Sequence, residues 1–215
     1  MVERHDLAWD CGAGSGQATL DLAARFARVV ATDVSSAQLG AAAPHPRVEY
    51  RVAPAEASGL DDHTVDLVAV AQALHWFDLP RFFAEADRVL APAGVLAAWS
   101  YGPCRVVGDG GAVTRFAELV RPCWPPERAL VESGYRTIDF PFHEVPVPEL
   151  EMSAEWTSEE LLGYLGTWSA VTAYATSHGQ DPIPALRAEL TSGADPARRF
   201  RVVWPLALRA GRATG

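Results

Sequence analysis

Apolar and polar positions alternate between two periods along the first hundred residues. "DLAW" (residues 6–9) is a short apolar run that passes straight into glycines, as a buried strand does. "GQATLDLAARFA" (16–27) follows with Leu20, Leu22, Ala23, Phe26 and Ala27 at helical spacing. "RVVATDVS" (28–35) predicts a second strand that ends in an acid. "SAQLGAAA" (36–43) predicts a helix with Ser35 or Ser36 as its cap. "VEYRVAPAE" (48–56) predicts a third strand. "VDLVAVAQAL" (65–74) predicts a fourth, nearly all apolar, as parallel strands buried on both faces are. "LPRFFAEADRVLA" (79–91) reads as an amphipathic helix, and "GVLAAWSY" (94–101) as a fifth strand. This strand–helix alternation predicts an α/β doubly wound, mostly parallel sheet with right-handed crossovers.

The pattern loosens after Tyr101. "YGPCRVVGDGG" is loop-like, "VTRFAELV" (113–120) is a short helix, and "PCWPPE" is a break. "RTIDFPFHEVPV" (136–147) alternates like an exposed or antiparallel strand. "SAEWTSEELLGYLGTWSAVTAYA" (153–175) contains a helix start, with Thr157 as cap and Glu160 three residues on. "DPIPALRAELTSG" (181–193) predicts another helix, and "RFRVVWPLALRAG" (199–211) a closing strand.

At 215 residues and 49% hydrophobic the chain is long enough for one sizeable core, so a single domain over 1–215 is expected. A formal net charge of −9 argues against nucleic acid as a partner. Every basic side chain among the 18 is an arginine, which excludes a lysine Schiff base. Cys11, Cys104 and Cys123 are odd in number and match no metal spacing, so reduced thiols and a cytoplasmic location are expected, with no metal. Cys11 reads as a packing residue. No apolar run reaches the ~18–20 residues of a membrane span, and "MVERHD" lacks the apolar core of a signal peptide.

The chemistry sits in "LAWDCGAGSGQATL" (7–20), where Gly12, Gly14 and Gly16 occupy alternate positions and Asp10 lies two residues ahead. A strand, a glycine turn and a helix form a cradle for a nucleotide-like ligand, because glycine permits the tight bend and close backbone approach. The spacing is G-x-G-x-G, one position short of the dinucleotide fingerprint. Asp33 ends the second strand, so its carboxylate falls at the carboxyl edge of the sheet and can accept both hydroxyls of a ribose. A purely structural turn, with Asp33 as a cap, is the plain alternative.

"WDCGAGSGQAT", "VVATDVSSAQL", "RVAPAEAS", "VDLVAVAQALHWFD" and "ADRVLAPAGVLAAWSYG" together resemble the class I S-adenosylmethionine-dependent methyltransferases, in that family's order, over about residues 7–102. "YRTIDFPFHEVP", "GYLGTWSAVTAY" and "WPLALRAGR" resemble one subgroup, the small-molecule methyltransferases related to trans-aconitate methyltransferase. The resemblance implies a Rossmann-like sheet of seven strands with an antiparallel C-terminal strand and a small helical cap. It implies a cofactor-binding half at 1–102 and substrate-side insertions with the C-terminal strands at 103–215. S-adenosyl-L-methionine is the implied cofactor and a small organic molecule, with carboxylates among the candidates, the implied acceptor, in a monomer or homodimer.

It also implies roles by position. Asp10, Gly12, Ala13, Gly14 and Gly16 would line the methionine and ribose end. Asp33 would hold the ribose hydroxyls, with Val34 flanking the adenine and Ala55 and Glu56 at its edge. Gln72 would lie near the sulfonium, with His75 and Trp76 at the mouth. His75 is the candidate catalytic base; a structural hydrogen bond is its alternative. Trp76 and Phe77 are equally readable as core plugs. Trp99, Tyr101, Trp124, Tyr164, Trp168 and Tyr174 are candidates to enclose the acceptor or to form the core of the cap. Arg105 or Arg136 could clamp a carboxylate. His63 and His143 read as solvated. Family members carry some thirty or more residues before the first strand, which form a lid, so the resemblance implies either a native start upstream of Met1 or a lid that is missing here. An NAD-dependent oxidoreductase and a feeble cofactor-binding relative are the alternative functions.

Overall fold

The computed structural model describes residues 2–192 and 198–213. They divide into two compact units, one of residues 2–100, 133–149 and 207–213, the other of 101–132, 150–192 and 198–206.

The first unit is built on parallel strands. β1 (Leu7–Cys11) pairs with β2 (Arg28–Asp33) on one side and β4 (Val65–Ala71) on the other; β2 pairs with β3 (Val48–Val52), and β4 with β5 (Leu90–Tyr101). The resulting order is β3-β2-β1-β4-β5, the doubly wound arrangement the sequence predicts. Order reverses at β1, so the crevice at its carboxyl end is a ligand position of this architecture. Ala8, Trp9, Asp10 and Cys11 are all buried, as expected of a strand covered on both faces. The Trp9 indole donates to Thr32 Oγ1 at 2.9 Å, which satisfies a polar atom that burial would otherwise strand. Asp66 accepts from the amides of Asp6 (2.7 Å) and Leu7 (3.1 Å), tying the start of β1 to β4.

The helices of this unit are shorter than the sequence suggests. α1 (Gln17–Ala23), α2 (Ser36–Gly40) and α3 (Leu79–Val89) each stop before the predicted end. Ser35 caps α2 through Gln38 N at 3.2 Å, and Asp78 caps α3. β4 ends at Ala71, because Gln72 takes a positive φ of 55° and the chain then folds into a 3-10 turn at Leu74–Trp76. β5 starts at Leu90, earlier than the predicted Gly94, because Leu90 already pairs with Val65 across a register shift.

Residues 136–147 correct the predicted strand. Only His143–Glu144, β7, enters a ladder, antiparallel to the end of β9 (Arg199–Arg212). The alternation has a different cause: Phe140 and Phe142 are buried edge-on against Phe83 at 5.8 and 5.9 Å, while Asp139 and Pro141 face outward.

The second unit contains β6 (Arg105–Val107), α4 (Ala112–Val120), α5 (Arg128–Glu132), β8 (Leu150–Thr157), α6 (Ser158–Gly166), α7 (Ser169–His178) and α8 (Ile183–Thr191). Within 153–175, where the sequence predicts a helix start at Thr157, the chain runs from the end of β8 into α6 and then α7. The Thr157 cap holds: Thr157 Oγ1 accepts from Glu160 N (3.3 Å) and Glu160 returns the bond to Thr157 N (2.8 Å). Gly193, the last residue of the predicted final helix, lies outside the described residues. β6 and β8 both run antiparallel to the first half of β9. The unit has its own core, in which Phe116, Leu161, Leu165, Leu186, Phe200 and Trp204 meet. The sheet therefore counts nine strands among the described residues, where the resemblance implies seven; the antiparallel C-terminal strand is β9.

Candidate methyl-donor site

The carboxyl ends of β1, β2, β3 and β4 meet around a cavity of about 220 Å³, lined by Gly12, Asp33, Val34, Ala53, Ala55, Glu56, Ala73, Trp76 and Phe77. Each strand ends here because the residue after it breaks the ladder: glycines after β1, a capped helix after β2, Pro54 after β3 and Gln72 after β4. The volume suits the nucleoside part of a cofactor, since whole ligand pockets run from about 300 Å³ upward. A larger cleft of about 610 Å³, bounded by Leu79, Phe83, Asp87, Asp139 and Phe142, shares no residue with the glycine turn. The polar groups converge at the smaller one.

Three glycines shape the turn, and the chain's own neighbours explain two of them. A Cβ on Gly12 would lie 2.6 Å from Ala73 Cβ and 3.2 Å from the Phe77 ring. One on Gly16 would lie 3.0 Å from the Tyr50 hydroxyl. Gly14 has open space around it. All three have positive φ, which disfavours any side chain. The turn is thus dictated by backbone conformation and packing as well as by any ligand.

Asp33 has two structural bonds: Oδ2 accepts from Gly14 N (2.9 Å) and Oδ1 from Ser35 N (2.8 Å). Each carboxylate oxygen has a further lone pair, so capacity for two more donors remains. Asp33 both ties the glycine turn to β2 and borders the cavity. Glu56 borders it too, and accepts from Asp78 N at 2.9 Å, where it steadies the start of α3. Val34 is 72% and Trp76 63% exposed, two apolar side chains left uncovered on the cavity lining.

Asp10 is fully buried. Its Oδ2 accepts from Thr19 Oγ1 at 2.5 Å, whereas Oδ1 has no hydrogen-bond partner. Burial pushes its pKa up to about 6; the Thr19 bond opposes the shift and the charge on Asp33 adds to it. An orphaned buried carboxylate oxygen behind the glycine turn fits a cationic or hydrogen-bond-donating ligand group. Burial also raises the Cys11 thiol far above its ordinary value, as its packing role requires.

Of the residues singled out in the sequence, Gly12, Asp33, Val34, Ala55, Glu56 and Trp76 meet at the cavity. Asp10, Ala13, Gly14, Gly16, Gln72 and His75 are not among its lining residues. Gln72 N donates to Trp99 O at 2.8 Å, bracing the end of β4 on β5. His75 sits in the 3-10 turn rather than at the strand end, and its Nδ1 is 3.1 Å from the Tyr135 hydroxyl. Sequence reasoning missed Tyr135 and Thr19; only Gly134, with φ 60°, marks the bend that presents Tyr135. Phe77 lines the cavity.

Of the six candidate aromatics, Tyr101, Trp124, Tyr164, Trp168 and Tyr174 belong to the second unit's core, whereas Trp99 lies on β5 in the first unit. Tyr164 accepts from the Trp204 indole at 2.9 Å, and Trp168 packs on Phe116, Trp124 and Tyr164. Tyr174 stacks on His178 at 4.1 Å. Arg105 and Arg136 are exposed, whereas Arg128 lies over the Trp124 ring at 4.2 Å. His143 is exposed, and His63 is bonded to Leu90 O through Nδ1 at 3.2 Å.

A glycine turn and an acid-tipped second strand at the switch point of a doubly wound sheet define a nucleotide-type ligand site. The methyltransferase domain family matches residues 9–98. A relative from Dictyostelium discoideum that bears a methyltransferase name is 34% identical over 193 residues, covering 87% of this chain and 73% of the relative. A Mycobacterium bovis relative with a methyltransferase name is 33% identical over 162 residues, 74% of this chain and 63% of its own. A solved structure from Anaeromyxobacter dehalogenans, described as a type II methyltransferase, superposes with a TM-score of 0.89 at 50% identity, over 99% of this chain and 92% of that one. A Bacillus halodurans structure at 19% identity and TM-score 0.55 shares the fold. The chain belongs to the S-adenosylmethionine-dependent methyltransferase family, and the NAD-dependent alternative gives way to methyl transfer.

Proposed function

We propose that the chain binds S-adenosyl-L-methionine in the strand-end cavity and transfers its methyl group to a small organic acceptor, a carboxylate being the favoured class. The observation that carries this reading is the pairing of Asp33, with lone pairs to spare, and the uncovered Val34 and Trp76 on one cavity lining. A diol needs acceptors and a flat base needs apolar faces; both lie within one small space.

In this reading Asp33 accepts the ribose hydroxyls while it keeps its bonds to Gly14 and Ser35. Val34, Ala55 and Trp76 enclose the adenine, with Glu56 at its edge. Gly12, Ala13, Gly14 and Gly16 let the methionine end run along the turn, where Asp10 Oδ1 offers the remaining acceptor. Gln72, at the end of β4, holds the sulfonium side of the site, and His75 meets the acceptor. The bound cofactor supplies a methyl group on a sulfonium, whose leaving group is a neutral thioether. The residues contribute alignment and exclusion of water, effects worth about 7–11 kcal/mol in favourable cases. A carboxylate acceptor already carries its nucleophilic lone pair, so the chain needs no base for it. The similarity of the later stretches to trans-aconitate relatives supports that class.

Calorimetric titration with S-adenosylhomocysteine tests the reading. Asp33→Asn is the apt variant, because one oxygen of the carboxamide can still tie the loop while an acceptor is lost. Binding by the parent chain and a loss of about 1–3 kcal/mol in the variant are expected. Equal affinities would remove Asp33 from the cofactor, and no binding by either would end the reading.

A further inference from the structure

The segment that follows α5 carries a residue with no part in the cavity and an unusual backbone. Tyr135 is fully buried and has φ 61°, a left-handed conformation that is costly for a bulky side chain. Gly134 before it also has positive φ, and a Cβ there would lie 2.7 Å from Ala207 Cβ. Arg209 of β9 holds the bend from the other side: it donates to Tyr135 O and Ile138 O, both at 2.8 Å, and lies over the Phe140 ring at 4.5 Å. Three separate contacts therefore maintain a strained conformation whose outcome is the position of one phenol.

That phenol meets His75. The hydroxyl is 3.1 Å from Nδ1, and the rings are stacked with centroids 6.3 Å apart at 28°. The direction of the bond follows from burial: a phenol shut off from water needs an acceptor for its proton. The acceptor in hydrogen-bonding geometry is His75 Nδ1. Burial outweighs the hydrogen bonding from the Ser100 side chain and from the backbone of His75 and Leu74, which favours the ionised phenol. Burial keeps the phenol protonated, with a pKa pushed up to about 12. The phenolic proton is left to point at the imidazole.

We propose that Tyr135 is a positioning residue: its hydroxyl donates to His75 Nδ1, which places the imidazole proton on Nε2 and makes His75 a hydrogen-bond donor to the acceptor oxygen, not its base. An imidazole whose Nδ1 lone pair receives a hydrogen bond carries its hydrogen on Nε2 when neutral. An Nε2–H can orient a carboxylate oxygen but cannot take a proton from a phenol or an amine. The inference deepens the methyl-transfer reading and rests on it for its meaning: the acceptor is a group that reacts without deprotonation.

The test is long-range proton–nitrogen NMR on the full chain labelled with nitrogen-15 histidine, above the imidazole titration, with His75 identified by its loss in His75→Gln. The expected spectrum has a protonated Nε2 and an unprotonated, hydrogen-bonded Nδ1. In Tyr135→Phe the signal shifts toward a mixture of both tautomers, and turnover falls by up to about a hundredfold with S-adenosylhomocysteine affinity unchanged. A proton on Nδ1 in the parent chain overturns the proposal, and that spectrum needs no variant to fold. An unchanged tautomer in Tyr135→Phe overturns it as well. So does methylation of phenols whose rate climbs with pH in the parent chain and loses that dependence in His75→Gln. Failure of the parent chain to bind S-adenosylhomocysteine would remove the methyl-transfer reading instead, and would leave the tautomer result intact.

Discussion

Asp10 shows how a single residue is shaped by a site it does not line. Its folded pKa, near 6, is above the ordinary value of 3.8, so the native state holds a proton more tightly than the unfolded chain. Stability then falls as pH rises through the interval from about 4 to 6, because ionisation inside the fold is penalised. A shift of this size is worth about 3 kcal/mol. Asp10→Asn removes the penalty: melting temperature at pH 8 is expected to rise, and the decline between pH 4 and 6 to flatten, in thermal scans across pH. The same variant is expected to weaken S-adenosylhomocysteine, since Oδ1 is the acceptor lost. Asp10 and Asp33 were legible in the sequence because a strand–turn spacing fixes their places. Thr19 and Tyr135 were not, because a hydrogen-bond partner nine or sixty residues away leaves no periodic mark.

Elements follow the same division. Buried parallel strands read as apolar runs, so β1, β2, β4 and β5 stand out in the sequence. β8 did not, since most of its residues are exposed and its existence depends on pairing with β9. Residues 136–147 mislead for the converse reason: their alternation buries Phe140 and Phe142 without a ladder. The turn after β1 is the element on which the site depends. Gly12→Ala places a methyl against Ala73 and adds strain at φ 73°, so a loss of about 1–3 kcal/mol in chemical denaturation is expected. Adding Ala73→Gly relieves the contact and leaves the strain, so partial recovery is expected; full recovery would show that the turn is set by packing alone. At the start of α6, Thr157→Ala breaks a reciprocal cap, and a cost of about 1 kcal/mol is expected in the same measurement.

At the scale of the molecule, two units with separate cores divide the chain, and every residue lining the candidate cofactor cavity comes from the first. That half was the legible one, because its chemistry sits at strand ends that local patterns locate. The second unit carries Tyr101, Trp124, Tyr164, Trp168 and Tyr174, aromatics whose partners are set by long-range packing. Ligand protection in hydrogen exchange should follow the same line. Saturating S-adenosylhomocysteine is expected to slow amides in residues 10–16, 33–35, 53–56 and 72–78, and to leave 158–191 unchanged. The most direct measurement is a crystal structure of the chain with S-adenosylhomocysteine bound. The expected result has both ribose hydroxyls within hydrogen-bond distance of Asp33 and the adenine beside Val34 and Trp76. A nucleoside bound elsewhere, or Asp33 bonded to Gly14 and Ser35 alone with the ligand present, would contradict the assignment of this cavity to methyl transfer.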